Sequence, residues 1–477
     1  MMRVLSVASE CAPFVKTGGL ADVVGALPRA LTAERVEMRT LLPGYPAVIA
    51  ALGSDAAQIA ELDDLFGGTA RLIAGHAAGL DLIAIDAPHL YARTSGLYSD
   101  AHGHDWPDNP ERFAALSWAA AHIATLGAGG WHPQVLHGHD WQAGFMVEYL
   151  HRMGNEDTRS VLTIHNIAFH GIAGAERLHA LRLDPSRFHS AGYEYWGNIS
   201  ALKAGLIGAD ALTTVSSRYA EELMTPEFGL GLDGVMRSRR EDLTGILNGI
   251  DSEVWNPATD PAITPYSTAR GKAANKAALR AEFGLPEASG PLCIIVSRMT
   301  HQKGLDLVLE ALPALLDHGG QLALLGSGER GLEHAFTSLA EHQPNVGVRI
   351  GYDEALSHRM MAGGDAILVP SRFEPCGLTQ LYGLRYGTLP LVALTGGLAD
   401  TVINASPAAL ARGVATGLQF APVTAEALRN ALTTLCRLHA DPSVWAKMQR
   451  NAMAQPVGWD QSARAYAQLY ERLIAGP

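Results

Sequence analysis

The chain alternates short apolar runs with longer segments in which apolar residues recur every three or four positions. The longer segments, such as 110–124 and 305–316, predict helices. The short runs predict strands at residues 4–8, 82–85, 135–137, 161–164, 211–215, 292–296, 321–325, 348–350, 366–369 and 389–392. Strands and helices that alternate in this way form parallel sheets covered by helices, so the sequence predicts an α/β protein.

The alternation occurs twice, and 477 residues exceed what one ordinary core accommodates. A segment rich in Gly, Pro and Asn, residues 248–265, separates the two series. We therefore expect an N-terminal domain at 1–247 and a C-terminal domain at 248–456. Residues 457–477 place Trp459, Tyr466 and Leu469 on one helical face. We expect this last helix to pack back on the first domain.

Composition restricts the classes of partner. The net charge is −12 and only 18% of residues are charged, so a basic surface for nucleic acid is not expected. The apolar runs are too short for a membrane span. The four cysteines lack the spacing of a disulfide framework or a zinc site, which fits a reducing cytoplasm; they are Cys11, Cys293, Cys376 and Cys436.

The sequence Thr-Gly-Gly-Leu-Ala-Asp occurs at residues 17–22 and again at 395–400. Paired glycines permit a tight turn, and a helix that follows such a turn points the positive end of its dipole at an anion. Lys16 precedes the first copy, whereas Leu394 precedes the second. We expect the first copy to contact a ligand and the second to support the structure behind Glu374.

Polar side chains follow several predicted strands, where open α/β sheets bind ligands. Asp140 follows the strand at 135–137, His165 follows 161–164, and Arg298 follows 292–296. The His137 and His139 pair beside Asp140 is compatible with a metal site, but no distant Cys or His pair completes it. We favour Asp140 and His165 as hydrogen-bonding partners of a polyhydroxyl substrate.

Two segments of the second half carry candidate chemistry. Arg298 and Lys303 lie five residues apart after a buried strand and could neutralise a diphosphate, although a solvated surface pair is the alternative. Glu374 could accept hydrogen bonds from sugar hydroxyls, and a helix beginning near Gly377 could present backbone N–H groups to phosphate. Those N–H groups belong to Gly377, Leu378 and Thr379.

Two further side chains near these segments have less distinctive patterns. Cys376 has no base nearby in sequence, so we expect it to be a packing residue that lines the site. Tyr352 follows the strand at 348–350 and could stack on a nucleobase, or could be an ordinary packed tyrosine. Asp-x-Asp and P-loop motifs are absent from the sequence, which weakens metal-bridged diphosphate and Walker-type sites. The first strand leads into Gly18-Gly19 rather than into G-x-G-x-x-G, which weakens a nicotinamide site.

Seven segments together resemble the bacterial glycogen synthases and plant starch synthases: 16–23, 139–141, 163–166, 248–251, 298–304, 371–380 and 395–400. The matches are collinear from residue 3 to about residue 460. The resemblance implies two Rossmann-like domains of the GT-B glycosyltransferase type facing an interdomain cleft. It also implies transfer of glucose from ADP-glucose to the non-reducing end of an α-1,4-glucan such as glycogen. Retention at the anomeric carbon is implied, without a cofactor or a metal.

The resemblance also implies roles for individual residues. Lys16 and Gly19 would contact the diphosphate or sugar of the donor. Arg298 and Lys303 would stabilise the departing diphosphate, with help from Thr379 and the neighbouring backbone.

On the sugar side, Glu374 and His165 would hold the glucosyl ring, and Tyr352 would lie against the adenine. The remaining residues implied to line the donor site are Asp22, Asp140 and Asn248. The family is thought to use a same-face substitution in which the leaving phosphate takes the proton of the acceptor.

The chain departs from related sequences at two positions. Tyr382 stands where other GT-B transferases carry a second glutamate, and His170 stands where we expect glutamine. Three alternative functions remain open: a GT-B transferase that uses UDP-glucose on another acceptor, a catalytically inactive glucan-binding scaffold, and an NAD-dependent oxidoreductase. The presence of Lys16, Arg298 and Lys303 argues against the scaffold, because binding alone needs no cations for a leaving group.

Overall fold

The computed structural model describes residues 1–476, which form two compact units. Unit 1 contains Met1–Asn248 and the segment that begins at Trp459, and unit 2 is Gly249–Gly458. The sequence predicts that the second domain begins at residue 248 and the last segment at residue 457. The structure begins them one and two residues later, at Gly249 and Trp459. Each unit is described separately below.

Unit 1 is built on a nine-stranded sheet with the order β12-β11-β7-β6-β1-β2-β5-β4-β3, and on a small antiparallel sheet with the order β8-β10-β9. In the large sheet, β4 is antiparallel to both β3 and β5 and the remaining pairs are parallel. The strands are β1 Met2–Val7, β2 Val36–Pro43, β3 Ala57–Leu62, β4 Ala70–Ala77, β5 Leu80–Asp86, β6 Val135–His139, β7 Arg159–Ile164, β8 Ile172–Gly174, β9 Glu194–Tyr195, β10 Asn198–Ser200, β11 Ala211–Thr214 and β12 Leu243–Gly245.

The helices of this part of the chain connect those strands. They are α1 Gly19–Thr32, α2 Pro46–Leu52, α3 Pro88–Tyr91, α4 Asn109–Leu126, α5 Met146–Arg152, α6 Ala201–Gly208, α7 Ser217–Leu223 and α8 Asp233–Ser238. The strand order reverses between β1 and β6, so the loops that follow these two strands diverge and leave a crevice at their carboxyl ends.

Unit 2 has one parallel sheet with the order β15-β14-β13-β16-β17-β18, the doubly wound arrangement of a Rossmann fold. Its strands are β13 Leu292–Val296, β14 Gln321–Gly326, β15 Val346–Ile350, β16 Ala366–Val369, β17 Leu389–Ala393 and β18 Leu418–Phe420. Four of these six strands are fully buried apolar runs or nearly so, as a sheet covered on both faces requires. The order reverses between β13 and β16.

The helices of unit 2 cover both faces of that sheet. They are α9 Lys272–Phe283, α10 Leu305–Ala311, α11 Pro313–Leu316, α12 Arg330–His342, α13 Glu354–Gly363, α14 Thr379–Tyr386, α15 Gly396–Thr401, α16 Pro407–Arg412, α17 Ala425–His439 and α18 Pro442–Met453. The single helix expected at 305–316 is two helices, because Pro313 has no N–H to continue the ladder.

A buried lysine ties three helices of unit 2 together. Lys272 at the start of α9 donates to the carbonyls of Met361 and Ala362 in α13 at 3.0 and 2.8 Å. It also donates to the carbonyl of Tyr386 in α14 at 3.1 Å and to Thr388 Oγ1 at 2.8 Å. Burial lowers the pKa of this lysine to about 7.

The last helix, α19 Asp460–Ala475, belongs to the core of unit 1. Its buried Tyr466 and Tyr470 pack in one cluster with Val23, Leu27 and Val135. Tyr470 OH also bonds His137 Nδ1 in β6 at 2.7 Å. None of the helices in residues 1–476 has the length and apolar character needed to cross a membrane.

Candidate active site

The loops that follow β13 and β16 enclose a pocket of about 180 Å³ in unit 2, at the point where the strand order reverses. The segment 297–305 supplies one side and the segment 370–379 the other. The predicted site residues that line it are Arg298, Lys303, Glu374, Gly377, Leu378 and Thr379. Side chains and backbone that are separate in the sequence therefore meet in one concave surface.

Glu374 is held in this pocket by two neighbours. The Lys303 ammonium pairs with Glu374 Oε2, and Ser371 Oγ donates to the same oxygen at 2.9 Å. Both side chains of the ion pair are largely buried. Because both bonds within residues 1–476 go to Oε2, Glu374 Oε1 is left to accept a hydrogen bond from a ligand.

The positive end of a helix faces the same pocket. Gly377, with φ +71°, turns the chain into α14, and Gln380 Nε2 fastens the turn through the carbonyls of Cys376 and Gly377 at 3.0 and 2.8 Å. The first N–H groups of a helix have no partner within the helix. Together with the exposed Arg298, the start of α14 makes this wall of the pocket suited to an anion.

The second Thr-Gly-Gly-Leu-Ala-Asp copy lies directly behind this loop. Gly396 has φ +43°, and a Cβ at this position would lie 2.0 Å from the carbonyl oxygen of Glu374. A Cβ at Gly397 would lie 2.3 Å from the carbonyl oxygen of Cys376. The expected supporting role behind Glu374 is confirmed, and the glycines are needed because two backbones touch there.

The first copy lies after β1 in unit 1 and is organised by a carboxylate. Glu10 accepts hydrogen bonds from Thr17 N at 2.5 Å, Thr17 Oγ1 at 2.6 Å and Tyr98 OH at 2.7 Å. Lys16 Nζ pairs with Asp22 in the first turn of α1 at 2.8 Å, and Gly19 begins that helix. Sequence reasoning missed Glu10, although a carboxylate three residues beyond a strand was a signal.

Asp140 and His165 meet at the ends of β6 and β7. Asp140, at a positive φ of 55°, accepts from His165 N at 2.7 Å and from Asn166 N at 3.3 Å. Burial raises the pKa of Asp140 to about 7 despite these two bonds, which lower it. The carboxyl group therefore fixes the backbone of the His165 loop.

Burial keeps His165 neutral, and a chain of hydrogen bonds determines which of its ring nitrogens carries the hydrogen. Burial lowers the pKa of His165 to about 3, and that of His139 falls well below its usual value. His139 Nδ1 lies 3.0 Å from His165 Nε2, and Ser6 Oγ lies 3.1 Å from His139 Nε2. In residues 1–476 the Ser6 hydroxyl has no other acceptor, so we infer that it donates to His139, which donates to His165. Neutral His165 then carries its hydrogen on Nδ1.

Three predicted site residues lie apart from these groups. Asn248 is buried at the end of unit 1, and its Oδ1 accepts no hydrogen bond within residues 1–476. Tyr352 is 78% exposed after β15 and does not line the unit 2 pocket. Cys376 is buried behind the loop rather than among the residues that line the pocket.

The histidines near Asp140 have partners other than a metal. His137 Nε2 lies 2.6 Å from Thr163 Oγ1, and its other nitrogen bonds Tyr470. In the part of the chain that the structure describes, no group of three His, Cys, Asp or Glu side chains is arranged to hold a metal ion.

Comparisons with known proteins match both units of the chain. The starch synthase catalytic domain family matches residues 3–238, and the family of glycosyl transferases group 1 matches residues 277–452. A glycogen synthase of Jannaschia sp. (strain CCS1) is 67% identical over 471 residues, covering 99% of each chain. The glycogen synthase of Paracoccus denitrificans is 63% identical over 475 residues, covering 100% of each chain.

A solved structure also resembles the chain over its full length. The catalytic domain of starch synthase IV from Arabidopsis thaliana, bound to ADP and acarbose, superimposes with a TM-score of 0.87 at 31% identity, covering 100% of both chains. The predicted fold, with two Rossmann-like domains of the GT-B type, is confirmed. The chain therefore belongs to the glycogen synthase family of glycosyltransferases.

Proposed function

We propose that the protein transfers glucose from ADP-glucose to the non-reducing end of an α-1,4-glucan such as glycogen, with retention at the anomeric carbon. The observation that carries the proposal is the unit 2 pocket, in which Lys303, Glu374 and the start of α14 converge. Such a pocket combines cations and helix N–H groups for a diphosphate with a carboxylate oxygen for sugar hydroxyls.

Charge on the leaving group is the chemical problem that this pocket addresses. When the bond between the anomeric carbon and the diphosphate breaks, negative charge develops on the phosphate oxygens. Arg298, Lys303 and the N–H groups near Thr379 stabilise that charge in the proposed reaction. One such contact contributes about 2.7–4 kcal/mol to transition-state stabilisation in a preorganised site.

Glu374 acts in this proposal by holding the sugar rather than by attacking it. Its Oε2 is occupied by Lys303 and Ser371, and Oε1 accepts from a glucosyl hydroxyl. A new bond forms between the anomeric carbon and the acceptor oxygen on the same face. The proton of that acceptor hydroxyl passes to a phosphate oxygen of the departing ADP, so the reaction needs no protein nucleophile.

Residues of unit 1 complete the donor site in the proposal. His165 donates from Nδ1–H to a glucosyl hydroxyl. Asn248 Oδ1 accepts a hydrogen bond from ADP-glucose; this oxygen is buried and has no partner within residues 1–476. Lys16 and Gly19 contact the diphosphate or sugar, and Asp22 keeps Lys16 in place.

Three further residues have proposed roles at or beside the ADP-glucose site. Asp140 fixes the His165 loop, Tyr352 lies against the adenine, and Cys376 supports the loop behind Glu374. We further propose that the protein acts in the cytoplasm, without a metal and without nucleic acid or membrane partners.

The identity of the glucose donor is tested by measuring initial rates with ADP-glucose and with UDP-glucose at equal concentrations, each with and without a glycogen primer. We expect ADP-glucose with glycogen to be turned over fastest. Faster turnover of UDP-glucose would overturn the donor assignment. Tight binding of glycogen without turnover of either donor would favour the scaffold function.

A further inference from the structure

A tryptophan occupies a turn that ordinarily selects small polar residues. Trp196 and Gly197 form the two-residue turn between β9 and β10, with φ values of 50° and 79°. Positive φ at both positions is the type I′ pattern, which favours Asn-Gly. A bulky residue in the left-handed region is a genuine outlier, and such outliers concentrate at functional positions.

The indole of Trp196 faces solvent. It is 80% exposed, the highest value among the large apolar side chains of residues 1–476. The turn itself is anchored, because Gly197 N donates to Glu194 Oε1 at 2.6 Å and Tyr195 OH donates to the Leu230 carbonyl at 2.7 Å. A strained backbone conformation therefore presents a flat apolar ring to solvent, on a turn that hydrogen bonds hold in place.

The small sheet that carries this turn is joined to the loop that begins at His165. The rings of His170 and Tyr195 contact edge-to-face at 4.8 Å between centroids. Ser200 Oγ and Leu202 N, at the end of β10 and in α6, donate to the His170 carbonyl at 3.2 and 3.0 Å. The Trp196 turn is therefore fixed to the segment that would hold the glucosyl ring.

We propose that Trp196 is a binding platform for the acceptor, on which a glucosyl ring of an α-1,4-glucan chain stacks. The proposal rests on the proposed function, because the glucan is the substrate of that reaction. Glucosyl rings present apolar C–H faces, and an exposed indole offers a flat apolar partner of matching size. A glucan is also neutral, whereas an acidic polymer would be repelled by Glu194 and by a net charge of −12.

The Trp196 ring alone is too small an area for an interface with a second copy of the chain. One tryptophan covers about 150–250 Å². A stable interface between proteins buries about 800 Å² on each partner. A single sugar ring or two, by contrast, is covered by one indole.

The test compares Trp196→Asn with wild type in binding glycogen and maltoheptaose. Asparagine is the preferred residue of this turn, so the variant should fold with an unchanged or higher Tm. We expect about a tenfold weaker affinity for glycogen, a loss of ~1.4 kcal/mol. The KM for glycogen should rise, and kcat and the KM for ADP-glucose should stay at wild-type values. Trp196→Tyr, which keeps an aromatic ring, should retain most of the affinity.

Leu126→Ala is the matched control, since Leu126 is 66% exposed at the end of α4, away from this turn in the fold. It should bind glycogen as wild type does. Equal glycogen affinity of wild type and Trp196→Asn would overturn the platform while leaving the transferase function intact. Failure of wild type to bind or extend glycogen would instead overturn the proposed function. A wild-type dimer that Trp196→Asn dissociates, seen by sedimentation, would assign the turn to self-association and overturn the platform.

Discussion

Gly396→Ala should disable the proposed site from behind, without touching a ligand. The added Cβ would lie 2.0 Å from the carbonyl oxygen of Glu374, and real Cβ contacts essentially never fall below 3.0 Å. The Glu374 carbonyl must therefore move by about 1 Å, the difference between these distances. The Glu374 side chain and its bond to Lys303 move with it.

The size of the effect follows from that displacement. A 1 Å error in the position of a catalytic group costs on the order of 100-fold in rate. We therefore expect kcat to fall about 100-fold, a loss of roughly 2.7 kcal/mol. Alanine at φ +43° adds about 1–2 kcal/mol of backbone strain, so the free energy of unfolding should fall modestly while the fold persists.

The chain supplies matched controls. Gly18 occupies the same place in the first Thr-Gly-Gly copy, and a Cβ there meets nothing within 4 Å. Gly18→Ala should change the free energy of unfolding by less than about 0.5 kcal/mol. Gly331→Ala, in α12 of unit 2 and also unobstructed, should keep wild-type kcat. Steady-state rates and urea unfolding of the three variants give both quantities. A Gly396→Ala protein with kcat within threefold of wild type would refute the reasoning.

Three further predictions concern buried charges. Lys303→Met should abolish most activity and lower the free energy of unfolding by about 3–5 kcal/mol, because Glu374 is left charged and largely buried. In the Lys303→Met, Glu374→Gln double variant, stability in urea should recover but activity should not. A double variant as unstable as Lys303→Met would contradict this. Lys272→Met should lower the free energy of unfolding of unit 2 by roughly 3 kcal/mol, because four buried hydrogen bonds are lost. An unchanged free energy of unfolding would contradict this. Asp140 has its pKa raised to about 7 in the folded state, so between pH 4 and 7 the folded protein holds a proton that the unfolded chain has lost. This group therefore makes the unfolding free energy fall as pH rises; from pH 5 to 7, Asp140→Asn should gain roughly 2–3 kcal/mol relative to wild type, and parallel pH curves would refute it.

Apolar runs predicted the strands that are buried on both faces. All ten predicted strands are present, and most of them are continuous apolar runs because the sheet is covered on both faces. The strand predicted at 348–350 is the exception, since it lies in the edge strand β15 and is partly exposed. The strand β2 was missed, since Glu37 and Arg39 interrupt its run with half-buried charges. The strands β3 and β4 were missed because they lie at the sheet edge and next to it, where exposed and half-buried residues interrupt the apolar run. The break at Pro313 was readable from the sequence and was overlooked.

The site was predictable where its residues follow strands and was not where it depends on distant contacts. Arg298, Lys303 and Glu374 could be chosen because each lies just beyond a predicted strand. The bond between Ser6 and His139 joins residues 133 positions apart, and no local pattern announces it. The same holds for the contact of Gly396 with Glu374, whose closeness only the packed structure reveals.

The place of α19 in the core of unit 1 has a consequence for synthesis of the chain. Residues 1–248 leave the ribosome first, yet Tyr466 and Tyr470, which cover Val23 and Val135, follow only after all of unit 2. Unit 2 is continuous in sequence and can close its core as soon as it emerges. Unit 1 is therefore synthesised first but completed last. An apolar face of unit 1 remains exposed to solvent until α19 has been synthesised.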